Sequence, residues 1–177
     1  MKDMIILIGK SGSGKNFLTE SFNLNYTPGF TTRELRETDV KDLNKIPIEE
    51  IILYKKDAIF RETICGETFY KDNFYYTKVE DYNNPKYDYM ILSVEGLQNF
   101  VTKYEKDKQK TKKGKKNTLV RGFKVIGVKS SQWKRMINMY KRGDKILDII
   151  RRIDYDKKSF IGMDELVIGL DGIFIKN

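Results

Sequence analysis

The feature that most constrains this chain lies at its start, where the apolar run Met4-Ile5-Ile6-Leu7-Ile8 leads directly into Gly9-Lys10-Ser11-Gly12-Ser13-Gly14-Lys15. A short, β-branched run without polar alternation reads as a strand buried on both faces, the habit of parallel sheets. The following Asn16-Phe17-Leu18-Thr19-Glu20-Ser21-Phe22 reads as a helix, with Phe17, Leu18 and Phe22 at core-compatible spacings. Strand, Gly-x-x-x-x-Gly-Lys loop and helix together make a phosphate cradle. Glycines let successive N–H groups turn inward around phosphate oxygens, and the helix start adds partial positive charge. Lys15 adds a full charge aimed at the β/γ-phosphates. The string alone would arise by chance in roughly 0.1 of chains of this composition. The flanking strand and helix, the extra Gly12 and the N-terminal position therefore carry the weight. The motif normally ends in Ser or Thr, whose hydroxyl reaches Mg²⁺; here it ends in Asn16, which could bring an amide oxygen to the metal or simply start the helix.

Downstream, Pro47 to Ile52 has proline and acids suited to a helix's first turn, and Ala58 to Tyr76 is strand-like and aromatic, with Gly66 as the bend between two strands. Further strands are read at Tyr87 to Val94, Phe123 to Val128 and Gly172 to Lys176. Helices are read at Leu97 to Tyr104, at Gln132 to Lys141 with Trp133, Ile137 and Tyr140 on one side, and at Lys145 to Tyr155. Alternating apolar strands and helices predict an α/β fold: three layers, a parallel core sheet with helices on both faces, and a small inserted β-rich subdomain.

Composition excludes several chemistries. The 177 residues contain no histidine and one cysteine, Cys65. That removes Ser-His-Asp hydrolysis, His-ligated zinc and a disulfide framework, and it leaves phosphoryl transfer, which depends on positioning and positive charge. Cys65 reads as a strand residue, and a reducing, cytoplasmic setting is the default. No apolar run is long enough to cross a membrane. The net charge of +9 is local: 103–116 holds eight lysines against Glu105 and Asp107, leaving +3 elsewhere. This run reads as an exposed loop over 103–118. Nucleic acid is left open as a partner for it but is not expected, because stacking aromatics are not interleaved with the lysines.

Beyond the cradle, the order of motifs resembles the guanylate kinase family. Ser11-Gly12-Ser13-Gly14-Lys15 is similar to that family's S-G-x-G-K, and Thr31-Thr32-Arg33-Glu34-Leu35-Arg36 matches T-T-R-x-x-R, with Asp39 following. Phe60-Arg61-Glu62 resembles F-x-E, Phe74-Tyr75-Tyr76-Thr77 resembles Y-Y-G-T/S, and Leu92-Ser93-Val94-Glu95 falls where L-D-x-D is expected. Arg142-Gly143 resembles the lid's R-G, Arg151-Arg152 falls where the next helix carries an arginine, and Asn177 falls at the asparagine near adenine. Gly29-Phe30 replaces the serines usual before T-T-R, and Tyr76 replaces a glycine.

The resemblance implies a single domain: a core of 1–29 and 84–177, a monophosphate-binding insertion at 30–83 and a lid at 141–152. It implies ATP phosphates on Gly9, Lys10, Ser11, Gly12, Ser13, Gly14, Lys15 and Asn16, and Mg²⁺ near Asn16 and Glu95. It implies an acceptor monophosphate held by Arg33, Arg36, Asp39, Tyr75 and Glu95. Glu62 and Thr77 read guanine, with Glu67 as an alternative to Glu62. Lys15, Arg142 and Arg151 or Arg152 cover the transferring group, with at most one of the last two facing the phosphates. The expected reaction is transfer of the γ-phosphoryl of ATP to GMP or dGMP. The alternatives are another nucleoside monophosphate or a sugar phosphate as acceptor, or a non-catalytic binding module of the same fold.

Overall fold

The computed structural model describes residues 1–35, 43–46, 63–70, 73–112 and 118–177. Its strands are β1 (Met4–Ile8), β2 (Gly29–Thr31), β3 (Leu43–Lys45), β4 (Ile64–Tyr70), β5 (Asn73–Lys78), β6 (Tyr89–Leu92), β7 (Phe123–Lys129) and β8 (Ile173–Lys176). They form two sheets. The first runs β6-β1-β7-β8 and is parallel throughout. The second runs β3-β2-β5-β4, with β2 and β3 parallel and the other pairings antiparallel.

In the first sheet, Met4, Ile6, Ile8, Met90, Leu92 and Val125 are buried in one cluster with Leu97 and Phe100 from the Val94–Lys112 helix and Met163 and Val167 from the Met163–Gly169 helix. The unbroken apolar character of β1 follows from this burial. Helices Gln132–Lys141 and Ile146–Ser159 also lie between β7 and β8 and pack on each other through Met139, Ile149 and Ile153. Phe74, Tyr76 and Ile64 form a smaller core within the second sheet, against Phe30 and Ile46.

Arg121 is buried, with main-chain carbonyls as hydrogen-bond partners. Its Nε donates to the Lys2 carbonyl at 3.0 Å, and Nη1 donates to the carbonyls of Tyr82, Asn84 and Tyr87 at 3.2, 2.9 and 2.9 Å. One guanidinium thus ties the segment before β1 to the segment before β6.

Four local readings are corrected. The lysine run is not a loop as far as residue 112, because the helix from Val94 continues to Lys112. Lys, Gln and Glu are strong helix formers even without an apolar period. Asp107, inside that run, is buried and accepts from the Thr118 and Leu119 backbone N–H groups, both at 2.7 Å. Gly66 does not separate two strands. It lies inside β4 at φ +62°, where the register with β5 shifts, as a bulge requires. Phe17 and Phe22 are about two-thirds exposed, and Thr19 is the buried residue of their helix. Trp133, Ile137 and Tyr140 face outward too; Arg135 and Met139 are buried instead. The helix expected at 47–52 lies outside the described residues, as does 113–117 of the basic run.

Candidate active site

β1 ends at Ile8, and the chain turns through a loop whose shape depends on glycine. Gly12 has φ +72° and a Cβ there would meet the Arg135 carbonyl oxygen at 2.6 Å; Gly14 has φ +92° and a Cβ would overlap the Asn177 amide. Lys15 opens the helix, and its Nζ folds back over the loop to donate to the carbonyls of Gly9 at 2.6 Å and Lys10 at 3.2 Å. Burial lowers the Lys15 pKa from 10.5 to about 8; Asp156 opposes the fall, while Arg135 and Arg142 add to it. An ammonium held this way gains most when a phosphate displaces the carbonyls.

The loop borders a cleft of about 520 Å³ between the two sheets. Gly9, Ser11 and Lys15 form one wall, and Phe30, Thr68, Tyr75, Tyr76 and Thr77 of the second sheet form the opposite one. Ser93, Glu95 and Gln98 supply the floor; Arg152, Tyr155 and Asp156 of the Ile146–Ser159 helix supply the remaining side. The strand ends and the helix start after β6 meet here, where open α/β sheets place ligands.

Among the expected residues, the cleft gathers Gly9, Ser11, Lys15, Tyr75, Thr77, Glu95 and Arg152. Glu95 lies in the first turn of its helix and accepts from the Thr68 hydroxyl at 2.9 Å, while Ser93 caps that helix by accepting the Gly96 N–H at 3.0 Å. Arg151 does not line the cleft. Its side chain is 69% exposed and its guanidinium lies 3.6 Å from Asp148. Arg142 stands near enough to Lys15 to affect its charge and is ion-paired with Asp144. Arg33 does not line the cleft either: its Nη1 donates to the Glu34 carbonyl at 2.5 Å. It follows the end of β2, where the neighbouring Thr32 hydroxyl accepts the Phe74 N–H at 2.9 Å. Lys10 borders a second cavity behind the loop, with Ser13. Asn16 is exposed at the first turn of its helix. Glu67 faces away from the cleft, into a cavity with Lys103 and Asn99. Arg36, Asp39 and Glu62 lie outside the described residues.

No family model matches this chain, and neither does any curated protein. Among solved structures, it is similar to guanylate kinase from Anaplasma phagocytophilum, at 16% identity and a TM-score of 0.54 over 99% of this chain and 77% of that one. The likeness is one of fold. It covers nearly the whole chain and agrees with the mixed α/β architecture, with its parallel sheet and flanking helices, described above.

Three residues at the site were not singled out from the sequence. Arg135 donates Nε to the Ser11 carbonyl at 2.8 Å, Asn138 donates Nδ2 to the Gly12 carbonyl at 2.9 Å, and Asp156 accepts from the Ser11 N–H at 2.9 Å. A signal existed for one of them. Ile149, Ile153 and Asp156 are spaced four and three residues apart, so Asp156 stands where the helical period calls for an apolar residue. A carboxylate there must find a partner. Asn177 also reaches the loop, donating Nδ2 to the Ser13 carbonyl at 3.1 Å.

Among the described residues, no helix is long and apolar enough to cross a membrane, and no cluster of three or more His, Cys, Asp or Glu side chains could hold a metal by itself. Asn16 and Glu95 offer oxygen donors, the ligand type that suits a hard cation held chiefly by substrate phosphates.

Proposed function

We propose that this protein is a nucleoside monophosphate kinase that transfers the γ-phosphoryl of ATP to GMP or dGMP. The observation that carries the reading is the cleft itself, which brings Lys15, Arg152, Tyr75 and Thr77 around one space. A donor phosphate on the loop and an acceptor phosphate on the second sheet would meet in that space. Lys15 would leave the Gly9 and Lys10 carbonyls for the donor's β/γ-phosphates. Arg152, with Arg142 after release from Asp144, would offset charge on the transferring group.

An acceptor oxygen attacks the γ-phosphorus as the bond to the β-bridging oxygen breaks, giving ADP and a diphosphate. The acceptor oxygen is already ionised, so no general base is needed. Asn16 and Glu95 would hold Mg²⁺ together with the phosphates, and the ion would neutralise charge between donor and acceptor. Tyr75, Arg33, Arg36 and Asp39 would hold the acceptor, and Glu62 with Thr77 would select guanine.

A second acceptor class is favoured by one observation. Phe30 and Tyr76 stack at 5.0 Å between ring centroids and an interplanar angle of 14°, and both line the cleft. This aromatic wall could seat another base. ADP release measured across a panel of monophosphates tests the assignment, with Lys15→Ala and Arg33→Ala as controls. Turnover highest with GMP or dGMP supports the guanine reading; equal or better turnover with acceptors lacking guanine ends it.

A further inference from the structure

Two helices send opposite charges to one point beneath the phosphate loop. Arg135 of Gln132–Lys141 and Asp156 of Ile146–Ser159 are directly ion-paired, with side chains 6% and 4% exposed. Both also hold Ser11. The Asp156 carboxylate accepts the Ser11 N–H at 2.9 Å and its hydroxyl at 3.4 Å, and Arg135 Nε donates to the Ser11 carbonyl at 2.8 Å.

Each bond fixes a different peptide plane. The Ser11 N–H belongs to the plane joining residues 10 and 11, and its carbonyl to the plane joining 11 and 12. The Gly12 carbonyl, held by Asn138 at 2.9 Å, lies in the next plane, and the Ser13 carbonyl, held by Asn177 at 3.1 Å, lies in the one after. Four consecutive planes are thus oriented from outside the loop. In a cradle, those orientations decide where the free N–H groups point.

A buried ion pair is a poor means of gaining stability, since well-packed apolar side chains often serve as well. Its value here is direction: a planar fork and a carboxylate grip both polar atoms of one residue. We propose that Arg135 and Asp156 are positioning residues for phosphate binding, a clamp that presets the loop before nucleotide arrives and links its shape to the two helices carrying Arg142 and Arg152. The inference rests on the reading that the loop takes a nucleoside triphosphate.

The charges point the same way. Lys15 faces Asp156 and Arg152 from one helix, Arg135 and Arg142 from another, and shares the cleft with Glu95. Asp156 favours its protonated form, which is the form that binds phosphate.

The decisive variants are the double Arg135→Met with Asp156→Ala, which removes both charges together, and Arg135→Lys, which keeps the charge but loses the fork. Amide hydrogen exchange without nucleotide and ATP affinity by calorimetry are measured on each. The double variant is expected to expose the Ser11 amide to exchange about 100-fold faster, with β1 and β7 unchanged. Its ATP affinity is expected to fall about 10-fold or more, and that of Arg135→Lys by a smaller factor. Wild-type affinity in both variants, or unchanged Ser11 exchange, overturns the clamp. If the double variant does not fold, Arg135→Lys decides by the same two readouts. If the wild type binds no ATP, the kinase reading fails; faster exchange confined to the loop then still supports the clamp, and exchange spread through β1 and β7 overturns it.

Discussion

The ammonium of Lys15 donates to the carbonyl oxygen of Gly9 at 2.6 Å, so the loop's own backbone holds the charge that a phosphate would take. This contact is bought with burial, which lowers the lysine's pKa to about 8. On the proposed function, activity and stability are therefore opposed at this residue.

Replacing Lys15 with Met should raise the melting temperature near pH 7 while abolishing phosphoryl transfer. The sign follows from proton linkage. The folded pKa of about 8 lies below the unfolded value of 10.5, so between them the unfolded chain binds more protons and stability rises with pH. The penalty is fully present below about pH 8 and relieved toward 10.5. Thermal melts of both proteins from pH 7 to 10.5 should show the gap closing upward; a constant gap contradicts the assignment.

Arg151 and Arg152 are adjacent, yet only Arg152 lines the cleft, and Arg151 stands 69% exposed by Asp148. Arg152→Ala should lower kcat/KM by about 100-fold or more, the scale of losing a group that stabilises transferring charge. Arg151→Ala should stay within a few-fold, as exposed i,i+3 pairs contribute about 0.2–0.5 kcal/mol. Steady-state kinetics of the two variants separates these roles, and equal losses would contradict them.

Gly12 has no room for a side chain. With φ at +72° and the Arg135 carbonyl 2.6 Å from a Cβ, Gly12→Ala should cost roughly 1–3 kcal/mol of strain. ATP affinity should fall with it, because the strain is placed in the cradle. Denaturant unfolding and calorimetric titration check both effects.

Arg121 is expected to act on stability alone. Arg121→Met should cost about 3 kcal/mol, since it leaves the buried Tyr82 carbonyl and three part-buried carbonyls without their charged donor. Below the melting transition, ATP affinity should remain at the wild-type value. Loss of affinity in a folded variant would mean that Arg121 reaches the site indirectly.

The parts of the fold visible in the sequence were those set by local pattern. β1, the loop, the helix at Gln132–Lys141 and strands β6, β7 and β8 follow from apolar runs and glycines near one another in the chain. The inward side of the Gln132–Lys141 helix did not, because Trp133, Ile137 and Tyr140 outweigh Arg135 in any count of apolar periodicity. Arg135 is buried because Asp156, 21 residues later, meets it under the loop. Such a pair has no local signature. The helix through the lysine run was hidden for a different reason: its formers are polar, and its buried Asp107 is satisfied by Thr118 and Leu119. At the site, Lys15 and Tyr75 were legible as motif positions, whereas which of Arg151 and Arg152 faces inward depended on how their helix sits.

The most direct test of the account follows the phosphoryl group. ATP labelled at the γ-position is incubated with GMP and Mg²⁺, and the label is traced with wild-type protein and Lys15→Ala. The account predicts label in GDP with the wild type and about 100-fold less or none with the variant. Label that stays on ATP, or leaves as inorganic phosphate without reaching GMP or any other monophosphate, would contradict it.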